Sequence, residues 1–481
     1  MLRELRGLAK ETAVYGLSTV LGRMLSFLLT PLYSHLLEPT DNGAMQAVYA
    51  YIAFLTVVYG LGLDTAYLRL GRNRGGEADS GSFGAAFTTV VGTAVLLSAA
   101  ISLAAAPLAR LIGLPEEMAV LVRYGAWILA ADAAMLMPYA ELRGSHRAGA
   151  YAGIKLVGIA MNLVLAYVFV RHMGLGLRGV FLANLVASLS SLAMLAPVIL
   201  SRLGTPDRAR LREMLGFGVP LIVAGVGSMV VQVADRPILA KAAGLAEAGV
   251  YGTCYKLGIG MMLLVGMFDQ AWKPFILERA DRPDAGALIA RVLTYFGTLA
   301  CGAFLAIVFF IGPLVTAPLF AGKPLIHPSF WSGLDVVPAV TLGYLFNGLY
   351  FVMLAPLMLD KRTGAVSAAT WTGAAVNLAL LWLLIPRWGM RGAAWATLGA
   401  YMAMAAAVWW LGRASRAVPY EWRRLGILAL WTAALWWPSR TVGLPARAIL
   451  LASYPVGLLV SGFLGAEERA ELRALLTAKR P

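Results

Sequence analysis

The chain reads as an all-α integral membrane protein with about fourteen transmembrane helices: two parallel six-helix repeats followed by two further helices. Three observations predict this class. Hydrophobic residues make up 60% of the 481 and charged residues only 14%, against about 45–50% and about 25% in an average soluble domain. Lys and Arg alternate between rich and poor connecting segments along the chain. An ordered series of identical residues returns in the second half at a nearly constant shift.

A spanning helix needs ~20 apolar residues. Such stretches occur at 12–37, 43–68, 83–109, 118–140, 149–171 and 177–201, then at 214–241, 248–272, 288–316, 333–359, 364–385 and 392–412. Two more follow at 425–438 and 446–465, the former short and rich in Trp431, Trp436 and Trp437. The tail Glu467–Arg480 alternates charges with Leu472, Leu475 and Leu476, the pattern of a helix lying on the membrane surface. With the N-terminus inside, the inner segments hold 26 Lys and Arg and the outer ones 9. Excess Lys and Arg mark cytoplasmic loops, so both termini are expected in the cytoplasm. The same bias accounts for most of the net charge of +15 without nucleic acid.

A shift of 206 aligns Pro31 with Pro237, Asp41 with Glu247, Gly43 with Gly249, Tyr49 with Tyr255 and Gly60 with Gly266. A shift of 215 aligns Arg147 with Arg362, Gly149 with Gly364, Asn162 with Asn377 and Gly174 with Gly389. Six spans per copy is an even number, so both copies enter the membrane from the same side. The expected organisation is an N-terminal six-helix lobe over 1–210, a C-terminal lobe over 211–415, and two helices with an amphipathic tail over 416–481. Paired halves of this kind are typical of transporters that rock about a central site.

Other classes fit poorly. The connecting segments leave no room for a soluble catalytic or ATPase domain, and no Gly-x-x-x-x-Gly-Lys-[Ser/Thr] phosphate loop or His-Glu-x-x-His motif occurs. Cys254 and Cys301 lie in apolar spans, and no metal cluster is implied. Met1–Glu11 is charged, but the apolar stretch after it is too long for a cleavable signal peptide. The longest outer loop, about Ala317–Ser332, has Lys323 and His327 but no acid, so the expectation is a transporter and not an enzyme.

Tyr15-Gly-Leu-Ser-Thr-Val-Leu-Gly-Arg23, Thr30-Pro-Leu-Tyr-Ser-His-Leu-Leu-Glu-Pro39 and Gly60-Leu-Gly-Leu-Asp-Thr-Ala-Tyr-Leu-Arg69 resemble the corresponding stretches of bacterial polysaccharide transporters. These are the oligosaccharide-lipid flippases of the multidrug/oligosaccharidyl-lipid/polysaccharide (MOP) exporter superfamily. The resemblance implies alternating-access movement of a polyprenyl-diphosphate-linked glycan from the cytoplasmic to the outer leaflet of a bacterial inner membrane, for cell-surface polysaccharide. It implies the lipid bilayer and polysaccharide-assembly proteins as partners, and no cofactor beyond a coupling H⁺ or Na⁺. Lipid II flippases also have fourteen spans, but their aromatic-rich second-span start differs from Asp41-Asn-Gly-Ala-Met-Gln-Ala-Val-Tyr49. Cation-coupled multidrug exporters usually have twelve spans. A membrane-embedded enzyme of glycan assembly is the alternative from another class.

An anionic diphosphate and a polar glycan cannot cross hydrocarbon unaided, so charges within spans are functional candidates. Arg23 lies roughly 17 Å into the first span, among Gly16, Ser18, Thr19 and Gly22. Arg236 adjoins Asp235 and Pro237, and Pro disturbs helices. Lys256 follows Tyr251 and Tyr255. Arg23, Arg236, Lys256 and Tyr255 are therefore the expected substrate contacts. Asp64 and Asp269, near the inner ends of equivalent spans, are candidate gates that pair with arginines. Asp132 and Asp235 are candidates for ion coupling, with Asp132 the deepest. Asn162 and Asn377 are expected to bond helices together.

Overall fold

The structure, a computed structural model, describes residues 20–22, 24–71, 79–279, 282–320 and 322–463. Arg23 and the tail beyond 463 lie outside the described residues, so the expectations placed on them stand as sequence readings. The described chain is helical: α1 (24–36), α2 (Pro39–Tyr59), α3 (Leu63–Leu70), α4 (Ser80–Leu103), α5 (Ala105–Leu111), α6 (Ala119–Gly144), α7 (Ala148–Tyr167), α8 (Gly176–Arg202) and α9 (Arg208–Val233). It continues through α10 (Asp235–Ala243), α11 (Leu245–Tyr255), α12 (Ile259–Leu277), α13 (Ala285–Thr316), α14 (Val337–Met353), α15 (Ala355–Leu359), α16 (Thr363–Gly412), α17 (Trp422–Trp436) and α18 (Leu444–Val460). Among the described residues, 10 helical stretches are long and apolar enough to cross a membrane. The longest, α16, holds the eleventh and twelfth expected spans, joined through a kink at Gly389. With α1, α17 and α18 the expected set of about fourteen is accounted for.

Sequence explains the helix limits. Asp79 caps α4: its carboxylate accepts from the Ser82 N–H at 2.8 Å and the Ser82 hydroxyl at 2.5 Å. Asp207 caps α9 by accepting from the N–H groups of Ala209 and Arg210. Such caps satisfy backbone donors that the first turn leaves unpaired. Large apolar side chains stand exposed along the helices, among them Leu103 at 89%, Val460 at 82% and Trp382 at 81%. Water would penalise these surfaces and hydrocarbon does not, so this is a multi-pass membrane protein.

The described residues pack as two units. The first lies within Met1–Lys256, Ile326–Val336 and Thr370–Ala400; the second lies within Leu257–Leu325, Val337–Ala369 and Tyr401–Pro481. The units follow packing and the repeats follow sequence, so the second repeat contributes to both. Inside the first unit, the repeat equivalents α2 and α11 lie against each other. Glycine permits this: a Cβ on Gly43 would overlap the Leu245 carbonyl, and one on Gly249 would overlap the Pro39 carbonyl. Small residues let helix backbones approach in this way. Gly43 and Gly249, which the 206-residue shift aligns, thus meet where the two helices touch.

Candidate functional site: a cationic cluster on α10 and α11

The seventh expected span breaks at Ala234, and a new helix, α10, begins at Asp235. Pro237 sits in its first turn, where a missing N–H costs little. A turn at Gly244 (φ +97°) reverses the chain into α11. At ~1.5 Å per helical residue, Arg236 lies about 8 Å inside the outer end of the expected seventh span and Lys256 about 12 Å inside that of the eighth.

Asp235 is 1% exposed and organises the cluster. One oxygen accepts from the Arg236 N–H at 2.9 Å and pairs with its guanidinium at 3.3 Å. The other accepts the Tyr251 hydroxyl at 2.5 Å. The Arg236 guanidinium also donates to the Gln232 carbonyl and lies 4.4 Å from the centre of the Tyr255 ring. Tyr251 and Tyr255 meet edge to face at 5.6 Å. Lys256 opens a single 3-10 turn, Lys256–Gly258, that interrupts the eighth span. Its ammonium is near enough to Arg236 for mutual repulsion and makes no hydrogen bond or ion pair among the described residues. Two cations, Arg236 and Lys256, thus lie near each other, with the Asp235 carboxylate paired to the first, among the described residues. A guanidinium held over an aromatic ring and an ammonium without an ion pair among the described residues suit an anion with several oxygens.

The structure thus brings together Asp235, Arg236, Tyr255 and Lys256, four of the eight expected site residues, with Tyr251 as an added support. The other described candidates are elsewhere. Asp132 lies between α6 and α8, where Ser188 donates to it at 2.7 Å. Ser188 also reaches Asn184, which donates to the Tyr49 hydroxyl at 2.8 Å, and Tyr49 stacks on Phe181. No cation pairs with Asp132 among the described residues. Asp64 pairs with Arg143 at 3.4 Å. Asp269 pairs with Lys273 at 2.7 Å, one helical turn along α12, where an arginine was expected.

Some features escaped the sequence. Glu141 is 2% exposed and gathers the Tyr67 hydroxyl, the Ser145 hydroxyl and Arg202. Only its polar neighbours in space, not its sequence surroundings, make it visible. Glu247 accepts the Met390 N–H at 2.7 Å and so caps the Gly389 kink, where φ is +53°. A Cβ on Gly389 would collide with that carboxylate. The expected helix-bonding role of the asparagines is not realised: both side-chain polar atoms of Asn377, and Oδ1 of Asn162, are buried without a hydrogen-bond partner among the described residues.

Comparison with known proteins agrees with this architecture. The family described as polysaccharide biosynthesis protein matches residues 32–317. Among solved structures, the chain is similar to the lipid II flippase MurJ in an inward closed conformation, with 13% identity over 93% of this chain and 97% of that one, and a TM-score of 0.74. It is similar to an inward-facing multidrug resistance MATE family transporter of the MOP superfamily, with 17% identity over 85% and 96%, and a TM-score of 0.65. A MOP superfamily transporter from Pyrococcus furiosus is 16% identical over 87% and 96%, with a TM-score of 0.56. No curated protein matches the chain. At these identities the structural likeness speaks for the fold and the family match for the lineage: the chain belongs to the polysaccharide biosynthesis protein family, built on the fold of the MOP-superfamily transporters.

Proposed function

We propose that this protein is a flippase that carries a polyprenyl-diphosphate-linked oligosaccharide from the cytoplasmic to the outer leaflet of a bacterial inner membrane by alternating access, with both termini in the cytoplasm. The observation that carries the proposal is the approach of two cations, Arg236 and Lys256, to each other within the expected membrane spans. Charge there is costly and persists where it serves a ligand or a pathway. In this reading Arg236 and Lys256 hold the diphosphate, and Tyr255 keeps the guanidinium oriented. Asp235 fixes the geometry, and the prenyl tail stays in lipid. Asp132 supplies the coupling site for H⁺ or Na⁺, because its carboxylate faces only neutral partners among the described residues.

A lipid II flippase would use the same headgroup chemistry, and the likeness to MurJ favours keeping that reading in view. Purified protein in liposomes, loaded with a labelled prenyl-diphosphate oligosaccharide, separates the outcomes. Losing one charge-assisted contact of about 1.5–3 kcal/mol should slow flipping about 10- to 100-fold in Lys256→Ala, while Lys256→Arg retains most of the rate. A Lys256→Ala protein that flips at the normal rate would remove the cluster from the mechanism. Preferential transport of lipid II over other prenyl-linked glycans would move the assignment to that branch.

A further inference from the structure

A second cationic site lies within the other packing unit, on the link between α16 and α17. The link is held in place from several sides. The Gly412 carbonyl accepts the N–H groups of Ser415 and Arg416. Arg416 pairs with Asp360 at 2.9 Å, and Arg362 donates to Ser415 at 3.3 Å. The Ala417 carbonyl lies so close to Gly286 that an added Cβ would sit 2.8 Å from it. These contacts shape a pocket of about 570 Å³ walled by Trp409, Arg413, Arg416, Pro419, Tyr420 and Trp422. Burial pushes the Tyr420 hydroxyl up to about 12, so it keeps its proton at neutral pH. The Arg413 guanidinium rests 3.9 Å from the Trp409 ring centre and 5.5 Å from that of Trp410. It is exposed and makes no hydrogen bond or ion pair among the described residues.

Directly beside this pocket is an apolar crevice of about 530 Å³, which shares Trp409 and Trp422 with it and continues along Phe304, Phe346, Leu425 and Trp436. A cationic, aromatic-rimmed pocket that shares Trp409 and Trp422 with an apolar crevice offers the two parts that a lipid needs. Its charge says which kind of lipid. Arg413, Arg416 and Arg362 outnumber the Asp360 carboxylate seen beside them among the described residues, which suits an anionic headgroup better than a zwitterionic one. Basic pockets between helices at the cytoplasmic face characteristically take anionic phospholipid headgroups. We infer that this site binds an anionic glycerophospholipid, its phosphate on Arg413 and Arg416 and an acyl chain in the crevice.

The inference concerns binding alone and can fail or hold whatever the protein flips. The full chain, purified in detergent, would be titrated with phosphatidylglycerol, phosphatidylcholine, a polyprenyl diphosphate and inorganic phosphate, and the bound species counted by native mass spectrometry. Phosphatidylglycerol should be retained at least fivefold more tightly than phosphatidylcholine. A surface Arg is worth about 1 kcal/mol towards an anionic lipid, so Arg413→Gln should weaken retention about fivefold. Arg413→Lys should stay close to the parent, and Arg387→Gln, on an exposed arginine in the first half of α16, should change nothing. Equal retention of the two phospholipids overturns the site, and this comparison needs only the unaltered protein. So does an Arg413→Gln protein that keeps its phosphatidylglycerol. Arg413-dependent displacement by polyprenyl diphosphate overturns the chosen occupant in favour of the transport substrate. Equal competition by inorganic phosphate overturns the role of the crevice.

Discussion

Asp235, buried, and Asp132, half-buried, are carboxylates of the same packing unit, and they meet the cost of burial differently. Asp235 has a guanidinium at 3.3 Å and a tyrosine hydroxyl at 2.5 Å. Asp132 has a serine hydroxyl at 2.7 Å, backed by Asn184 and Tyr49, and no cation among the described residues. A buried charge is costly unless paired and hydrogen-bonded. Asp235 serves as the counter-charge that orients Arg236. In the coupling role proposed for Asp132, a proton or a cation would supply what its neutral neighbours do not. The contrast is between an acid with a fixed cationic partner and one without.

The sharpest way to break this contrast is to remove the paired acid. Asp235→Ala leaves Arg236 buried without its partner, and such losses cost about 3–5 kcal/mol. The expected outcome is a large fall in melting temperature in detergent, with loss of folded protein from the membrane. An Asp235→Ala protein as stable as the parent would show that the pair is incidental. Asp132→Asn should behave in the opposite way. The amide keeps a hydrogen bond to Ser188, so stability should change by about 1 kcal/mol or less. Transport should no longer respond to an imposed H⁺ or Na⁺ gradient, measured as the ratio of flipping rates with and without the gradient. A retained response would shift coupling away from Asp132.

Carboxylates at helix ends sharpen the comparison from the mild side. The hydroxyl and N–H of Ser82 hold the Asp79 carboxyl below its ordinary range. A depressed folded-state value means the cap contributes fully above the unfolded value of about 4 and fades as pH falls through the folded one. Asp79→Ala should cost about 1 kcal/mol near neutral pH and progressively less in acid, read from melting temperatures across pH. The half-exposed Asp64–Arg143 pair should matter least. Its double-mutant coupling energy is expected to be about 1 kcal/mol or below. A much larger value would raise Asp64 from a surface pair to a gate.

The sequence made much of this legible and left the rest closed, for physical reasons. The break between the eleventh and twelfth spans is visible because Pro386 and Gly389 interrupt an apolar run, and the kink falls at Gly389. The pairing of Gly43 with Gly249 by the 206-residue shift foretold two equivalent helices, though not that each glycine meets the partner helix's backbone. Asp235, Arg236, Tyr255 and Lys256 stood out as charged or aromatic residues at span depth. Their convergence depends on the Gly244 reversal, which sets α10 beside α11. Glu247, by contrast, drew notice only as the counterpart of Asp41, because its partner Met390 is 143 residues away. Arg413 counted as one more inner-face cation until Trp409 and Asp360 gave its surroundings a shape.

Composition, the alternation of basic segments and the duplicated pattern were enough to determine a membrane bundle of two repeats, since hydrocarbon demands long apolar helices and the repeat preserves their spacing. Tertiary structure alone decided which charges are paired: Asp235 with Arg236, and, among the described residues, Lys256, Asp132 and Arg413 without an ion pair, the last over the Trp409 ring. That division depends on distances of a few ångströms between helices remote in sequence, where Coulomb energies change steeply and one-dimensional pattern has no hold.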